Sequence, residues 1–114
     1  MPPTDRGPKM SKIVSRNAAR ALHNGAKYSN GKNTRVIDGQ LMLHGNIIAE
    51  AMGESTLIRN CGWFTLTTRD RLNALDGVSI VQRRGKWYLN GFEWDGNDIV
   101  VQRDGVIAGP PIRF

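Results

Sequence analysis

Thr34-Arg35-Val36-Ile37-Asp38-Gly39-Gln40-Leu41-Met42-Leu43-His44-Gly45-Asn46-Ile47-Ile48-Ala49-Glu50 is the stretch that decides the fold. Three short apolar runs, at 34–37, 41–44 and 47–50, are cut by Asp38-Gly39 and Gly45-Asn46. Such pairs reach the positive φ of tight hairpin turns at little steric cost, so the segment predicts a three-stranded antiparallel meander.

The same texture continues downstream. Strands are expected at 56–59, 63–65, 78–82, 86–89, 92–94, 99–102 and 106–108. Their turns are Arg84-Gly85, Asn90-Gly91, Asp95-Gly96-Asn97-Asp98 and Asp104-Gly105. The hairpin Ile80-Val81-Gln82-Arg83-Arg84-Gly85 is echoed once by Val100-Val101-Gln102-Arg103-Asp104-Gly105, too few times for a repeat array. The run from Thr67 to Leu75 interrupts the strands. A threonine cap with Leu72 and Leu75 predicts a short central helix ending near Asp76-Gly77.

Upstream, residues 26–33 read as a loop and residues 11–24 as a helix. Ser11 is the expected N-cap and Asn24-Gly25 the stop. Val14, Ala18, Ala21 and Leu22 share one face, and Lys12, Arg16 and Arg20 form a basic stripe at four-residue spacing. Residues 1–10 carry three prolines and almost nothing apolar, which predicts a flexible basic arm, disordered unless bound. A β-rich domain should span 33–108. The expected class is α+β, mainly antiparallel meanders with an N-terminal and a short central helix. A small barrel and a two-sheet sandwich both fit. The 114 residues suit one domain, and thirteen glycines argue against a helical bundle.

Charge divides the chain. Residues 1–36 hold eight bases against Asp5, a net +7, while residues 37–114 hold eight bases against nine acids, a net −1. A basic segment of this kind faces a polyanion. The residues expected to touch nucleic acid are Lys9, Lys12, Arg16, Arg20, Lys27, Lys32 and Arg35. Arg83, Arg84, Lys86, Trp87 and Tyr88 form a second group, where cations flank rings that could stack on bases. Trp63-Phe64 and Trp87-Tyr88 are adjacent pairs, so on a strand each sends one ring to either face.

Catalytic chemistry is not expected. Cys61 is the only cysteine and reads as a buried structural thiol in the turn Asn60-Cys61-Gly62-Trp63, and no internal disulfide is possible. His23 and His44 stand apart from other ligands, so no metal or other cofactor is expected. The acids sit mostly beside glycines, as turn residues, and no phosphate-binding glycine loop occurs. No apolar run reaches the roughly 18 residues of a membrane span, and the N-terminus lacks a signal core.

The patterns Leu43-His44-Gly45-Asn46-x-Ile48-Ala49, Cys61-Gly62-Trp63-x-Thr65-x-Thr67-Thr68-Arg69-x-Arg71-Leu72-Asn73-Ala74-Leu75, Tyr88-Leu89-Asn90-Gly91 and Glu93-Trp94-Asp95-Gly96 resemble small uncharacterised proteins of tailed bacteriophages. The resemblance spans roughly residues 33–105 and carries no assigned activity or catalytic residue. It implies a small accessory phage protein in the host bacterial cytoplasm or in the virion. Together the readings give a non-catalytic protein that binds DNA or RNA through its N-terminal arm and helix. The alternatives are an inhibitor docking on an acidic host protein, for anti-defence or host takeover, and a structural virion component.

Overall fold

The computed structural model describes residues 6–109, with side chains from Ser11 onward. Helix α1 (Arg6–Asn24) leads into β1 (Tyr28–Ser29), β2 (Thr34–Ile37), β3 (Gln40–Leu43), β4 (Asn46–Met52) and β5 (Ser55–Ile58). Helix α2 (Leu66–Asn73) follows, then β6 (Ile80–Arg83), β7 (Lys86–Leu89), β8 (Phe92–Trp94), β9 (Ile99–Gln102) and β10 (Ile107–Gly109).

The predicted meander is present as β2, β3 and β4, antiparallel throughout, with Val36 opposite Leu41 and Leu41 opposite Ala49. Its turns use Asp38 (φ 52°) with Gly39 (φ 75°) and His44 (φ 52°) with Gly45 (φ 81°). Two consecutive left-handed residues match the right-handed twist of the flanking strands. The second turn is centred one residue earlier than the sequence suggested.

Two sheets result. The larger has the order β1-β2-β3-β4-β5-β9-β10, and the smaller is β6-β7-β8. The barrel alternative is not realised, because the larger sheet ends at β1 and β10. These edge strands, of two and three residues, are too short to close on each other. Helix α1 packs on β1 to β4 instead. Its small Ala18, Ala19 and Ala21 and its Leu22 join Leu41, Ile48, Ile58, Trp87, Leu89 and Val101 in one core shared by both sheets.

Three local readings change. The helix begins at Arg6, inside the segment expected to be an arm, while residues 1–5 of that arm lie outside the described residues. Pro8 is compatible with this start, because first-turn N–H groups lack intrahelical acceptors. Ser11 is therefore inside the helix rather than its cap. Trp63–Thr65 forms no strand: Trp63 donates its backbone N–H to Asn60 O at 2.9 Å, closing a turn, and Thr65 caps α2 by accepting from Thr68 N. Finally, Tyr28–Ser29, read as loop, pairs with Arg35 and Val36 as β1.

The helix ends as its sequence suggests. Gly25 (φ 69°) follows Asn24, and Ala26 donates to Ala21 O at 2.8 Å. This is a Schellman-type stop, which hands the chain back toward β2. Arg71 then locks α2 to α1 and β2. It is 3% exposed, and its guanidinium donates to Thr34 Oγ1 (2.9 Å), Ser11 O (2.9 Å) and Ser15 Oγ (2.8 Å). Asn90 ties the smaller sheet to its surroundings, donating to Gly77 O (2.8 Å) and Gly105 O (2.9 Å) and accepting from Ser79 N (2.8 Å).

Candidate nucleic-acid interface

The 3.6-residue period puts Ala18, Ala21 and Leu22 into the core and leaves Lys12, Arg16 and Arg20 outside on α1, all three exposed. Lys12 and Arg16 line a polar cleft of about 270 Å³ with Ser15, Asp70, Asn73 and Ala74, where α1 meets α2. Lys27 is exposed just past the helix end. Lys9 lies outside the described side chains.

Strand alternation buries Thr34 and Val36 and turns Arg35 outward. Arg35 and Lys32 line a groove of about 390 Å³ with Ser29, Asn33, Met42 and His44. Lys32 is held there by the 30–34 loop, in which Asn30 Oδ1 accepts from the backbone N–H groups of Lys32 (2.9 Å), Asn33 (3.0 Å) and Thr34 (3.0 Å). Among the described residues, no acid lines this groove.

The β6–β7 hairpin carries Arg83, Arg84 and Lys86, all exposed, around a turn at Arg84 (φ 52°) and Gly85 (φ 78°). Its two rings part company. Trp87 is 1% exposed, so it presents no stacking face and is removed from the candidate contacts. The pleat turns it inward beside Trp94, centroids 6.1 Å apart, with Phe64 edge-on at 5.1 Å, and its indole N–H donates to Gln82 Oε1 at 3.2 Å. Tyr88 points to the other face and is half-buried, opposite Val81 and Glu93. Lys86 lies 3.6 Å from Glu93, which offsets part of the local charge.

Cys61 departs from its expected burial. It is exposed, with φ 55°, because the turn at 60–63 swings it out of the core. Its thiol donates to Ile47 O at 3.3 Å, and partial burial pushes its pKa up, which disfavours the reactive thiolate.

The sequence reading missed a second cleft, of about 360 Å³. Leu43 and Ile48 are buried beneath it, and His44, Asn46, Trp63, Thr65, Thr67 and Thr68 complete its lining. Trp63 is 55% exposed. Its signal was present: an aromatic pair between a glycine turn and a threonine cap belongs to a connection, where both rings can escape the core. His44 lines this cleft and the Lys32–Arg35 groove alike.

No helix among the described residues is long and apolar enough to cross a membrane. The family model described as Kyanoviridae Gp96 protein matches residues 10–107. That span takes in the basic face of α1 from Lys12 onward, well upstream of the resemblance read from the strands. No curated protein and no solved structure matches the chain.

Proposed function

The chain belongs to the Kyanoviridae Gp96 protein family and is a phage protein; from that premise we propose that it binds nucleic acid by occupancy, without a catalytic step. One observation carries the reading. Lys12, Arg16, Arg20, Lys27, Lys32, Arg35, Arg83 and Arg84 are all exposed, and none lies within 4.0 Å of a carboxylate among the described residues. Arg59 shows the contrast: its guanidinium meets Asp98 at 2.7 Å and Glu50 at 2.9 Å and is neutralised within the fold. Exposed cations without a carboxylate partner, three on a face of α1 and two in a separate groove, support a reading in which each set neutralises phosphates.

A second reading rests on a different observation. Trp63, Phe64 and Leu66 are 55%, 49% and 63% exposed and consecutive but for Thr65, an apolar group suited to anchoring a host protein. Salt separates the two. Phosphate neutralisation makes log affinity fall with log salt, by about 0.9 per contact on duplex DNA, whereas an apolar anchor responds weakly. Fluorescence anisotropy of a labelled duplex across a salt series is the test. A steep slope is expected, and failure to bind DNA or RNA at low salt overturns the reading. The site of action consistent with it is the host cytoplasm or the virion.

A further inference from the structure

We propose that the Trp63 cleft receives one unpaired base of a single-stranded nucleic acid, stacked on the indole, while Lys32 and Arg35 hold the phosphates beside it. The inference rests on the nucleic-acid reading and gives it a strand preference. Phosphate contacts by the exposed cations of α1 and the hairpin would treat duplex and single strand much alike. The cleft would not, because a base inside a duplex is already stacked and its pairing edge is occupied.

Three features of the cleft select a base. First, it combines a flat aromatic wall with an apolar floor of Leu43 and Ile48, at a volume suited to a small planar group. Second, it carries uncommitted hydrogen-bonding groups. The Thr65 and Thr68 hydroxyls are engaged with each other at 2.9 Å and in capping α2. The side chains of His44, Asn46 and Thr67 hydrogen-bond to no other described residue, leaving a carboxamide, an imidazole and a hydroxyl to meet a base edge. Third, the cavity that shares His44 is cationic, and among the described residues neither cavity has a carboxylate in its lining. An apolar peptide would use the ring and the floor but would have no need of Lys32 and Arg35. A nucleotide uses both compartments, base in one and phosphate in the other.

Tryptophan emission makes the test direct. Trp87 and Trp94 are 1% and 6% exposed, so ligand-dependent quenching reports mainly on Trp63. The full chain is titrated with short oligodeoxyuridylate, with oligouridylate, and with a duplex of equal length. Quenching by the single strands and not by the duplex is expected, and the stronger of the two single strands identifies the sugar. Trp63→Leu should remove the quench and weaken single-strand binding roughly 5- to 150-fold, the range for one base on one ring, with duplex affinity and thermal midpoint unchanged. Trp63→Phe should recover most of the affinity. If Trp63→Leu lowers the thermal midpoint, iodide quenching of the unaltered chain carries the test: bound single strand must shield the indole. An unshielded indole, or equal single-strand affinity in Trp63→Leu and the unaltered chain, overturns the base site and leaves the phosphate reading intact. A chain that binds neither form at low salt overturns both.

Discussion

At the scale of single residues, Arg71 and Gly96 show how strongly the core limits substitution. Arg71 is a buried cation whose guanidinium donates to neutral oxygens of Thr34, Ser11 and Ser15, and burial pulls its pKa down against a weaker opposing pull from Asp70. Removing the guanidinium leaves those buried groups without their donor, so Arg71→Met, which keeps much of the bulk, should cost about 2–4 kcal/mol in urea unfolding. A cost below about 1 kcal/mol would mean that water replaces the donor freely. Gly96 has φ 87°, and a Cβ there would overlap the side chain of Asn60, which is itself 1% exposed. At Gly45 (φ 81°) nothing lies within 4 Å of such a Cβ. Both positions pay the left-handed penalty of about 1–2 kcal/mol on conversion to alanine, but only Gly96→Ala adds a clash, so its loss should clearly exceed that of Gly45→Ala. Neither role was legible beforehand. Arg71 sits in a polar run that reads as a solvated helix face, and its partners are 37 to 60 residues away in sequence. Trp87 was half legible: alternation requires one ring of the pair to go inward, but which one depends on register.

Elements were legible wherever the instruction is local. The meander follows from Asp38-Gly39 and Gly45-Asn46, the second turn forming one residue earlier at His44-Gly45, and the stop of α1 follows from Asn24-Gly25, because turn chemistry acts over a few residues. The pairing of β5 with β9, Leu57 opposite Val100, was not legible: α2 and the whole smaller sheet are inserted between them, and no short-range pattern marks so distant a partner. The end of α1 is fastened to such distant parts by His23. Its Nε2 accepts from the backbone N–H of Asp76 at 3.0 Å, and its carbonyl accepts from Arg103 at 3.1 Å. Burial first, then Arg103, lowers the His23 pKa from its ordinary 6.5, with Asp76 opposing. The folded state therefore binds the proton less readily than the unfolded chain. Stability from this group is fully present above about pH 6.5 and declines as pH falls below it toward the depressed folded value. The urea midpoint should drop between about pH 7.5 and about pH 5.5, and His23→Gln should flatten that part of the profile. A profile identical in His23→Gln would assign the drop to other groups.

Across the whole molecule, the charge division read from the sequence becomes a division of surfaces. The basic face of α1 and the Lys32–Arg35 groove lie on the N-terminal third, and the hairpin at Arg83 and Arg84 belongs to the smaller sheet, where Glu93 sits beside Lys86. That difference predicts unequal contributions to binding. Truncating α1 cannot measure its share, because Ala18 and Leu22 are 0% and 1% exposed and their loss would uncover the core. Substituting the exposed side chains can. Converting Lys12, Arg16 and Arg20 together to alanine keeps good helix formers on α1 and relieves like-charge spacing, so the thermal midpoint should hold or rise slightly. If each of the three neutralises one phosphate, the salt slope on duplex DNA should fall by up to about 2.7, at 0.9 per contact. Arg83→Ala with Arg84→Ala should lower it by less than the roughly 1.8 expected of two full contacts, since Glu93 repels phosphate from that hairpin. Anisotropy titrations of the three proteins over one salt series give all the slopes. An unchanged slope in the helix variant, with the fold intact, would move the interface away from α1 and onto the remaining exposed cations of the Lys32–Arg35 groove and the hairpin.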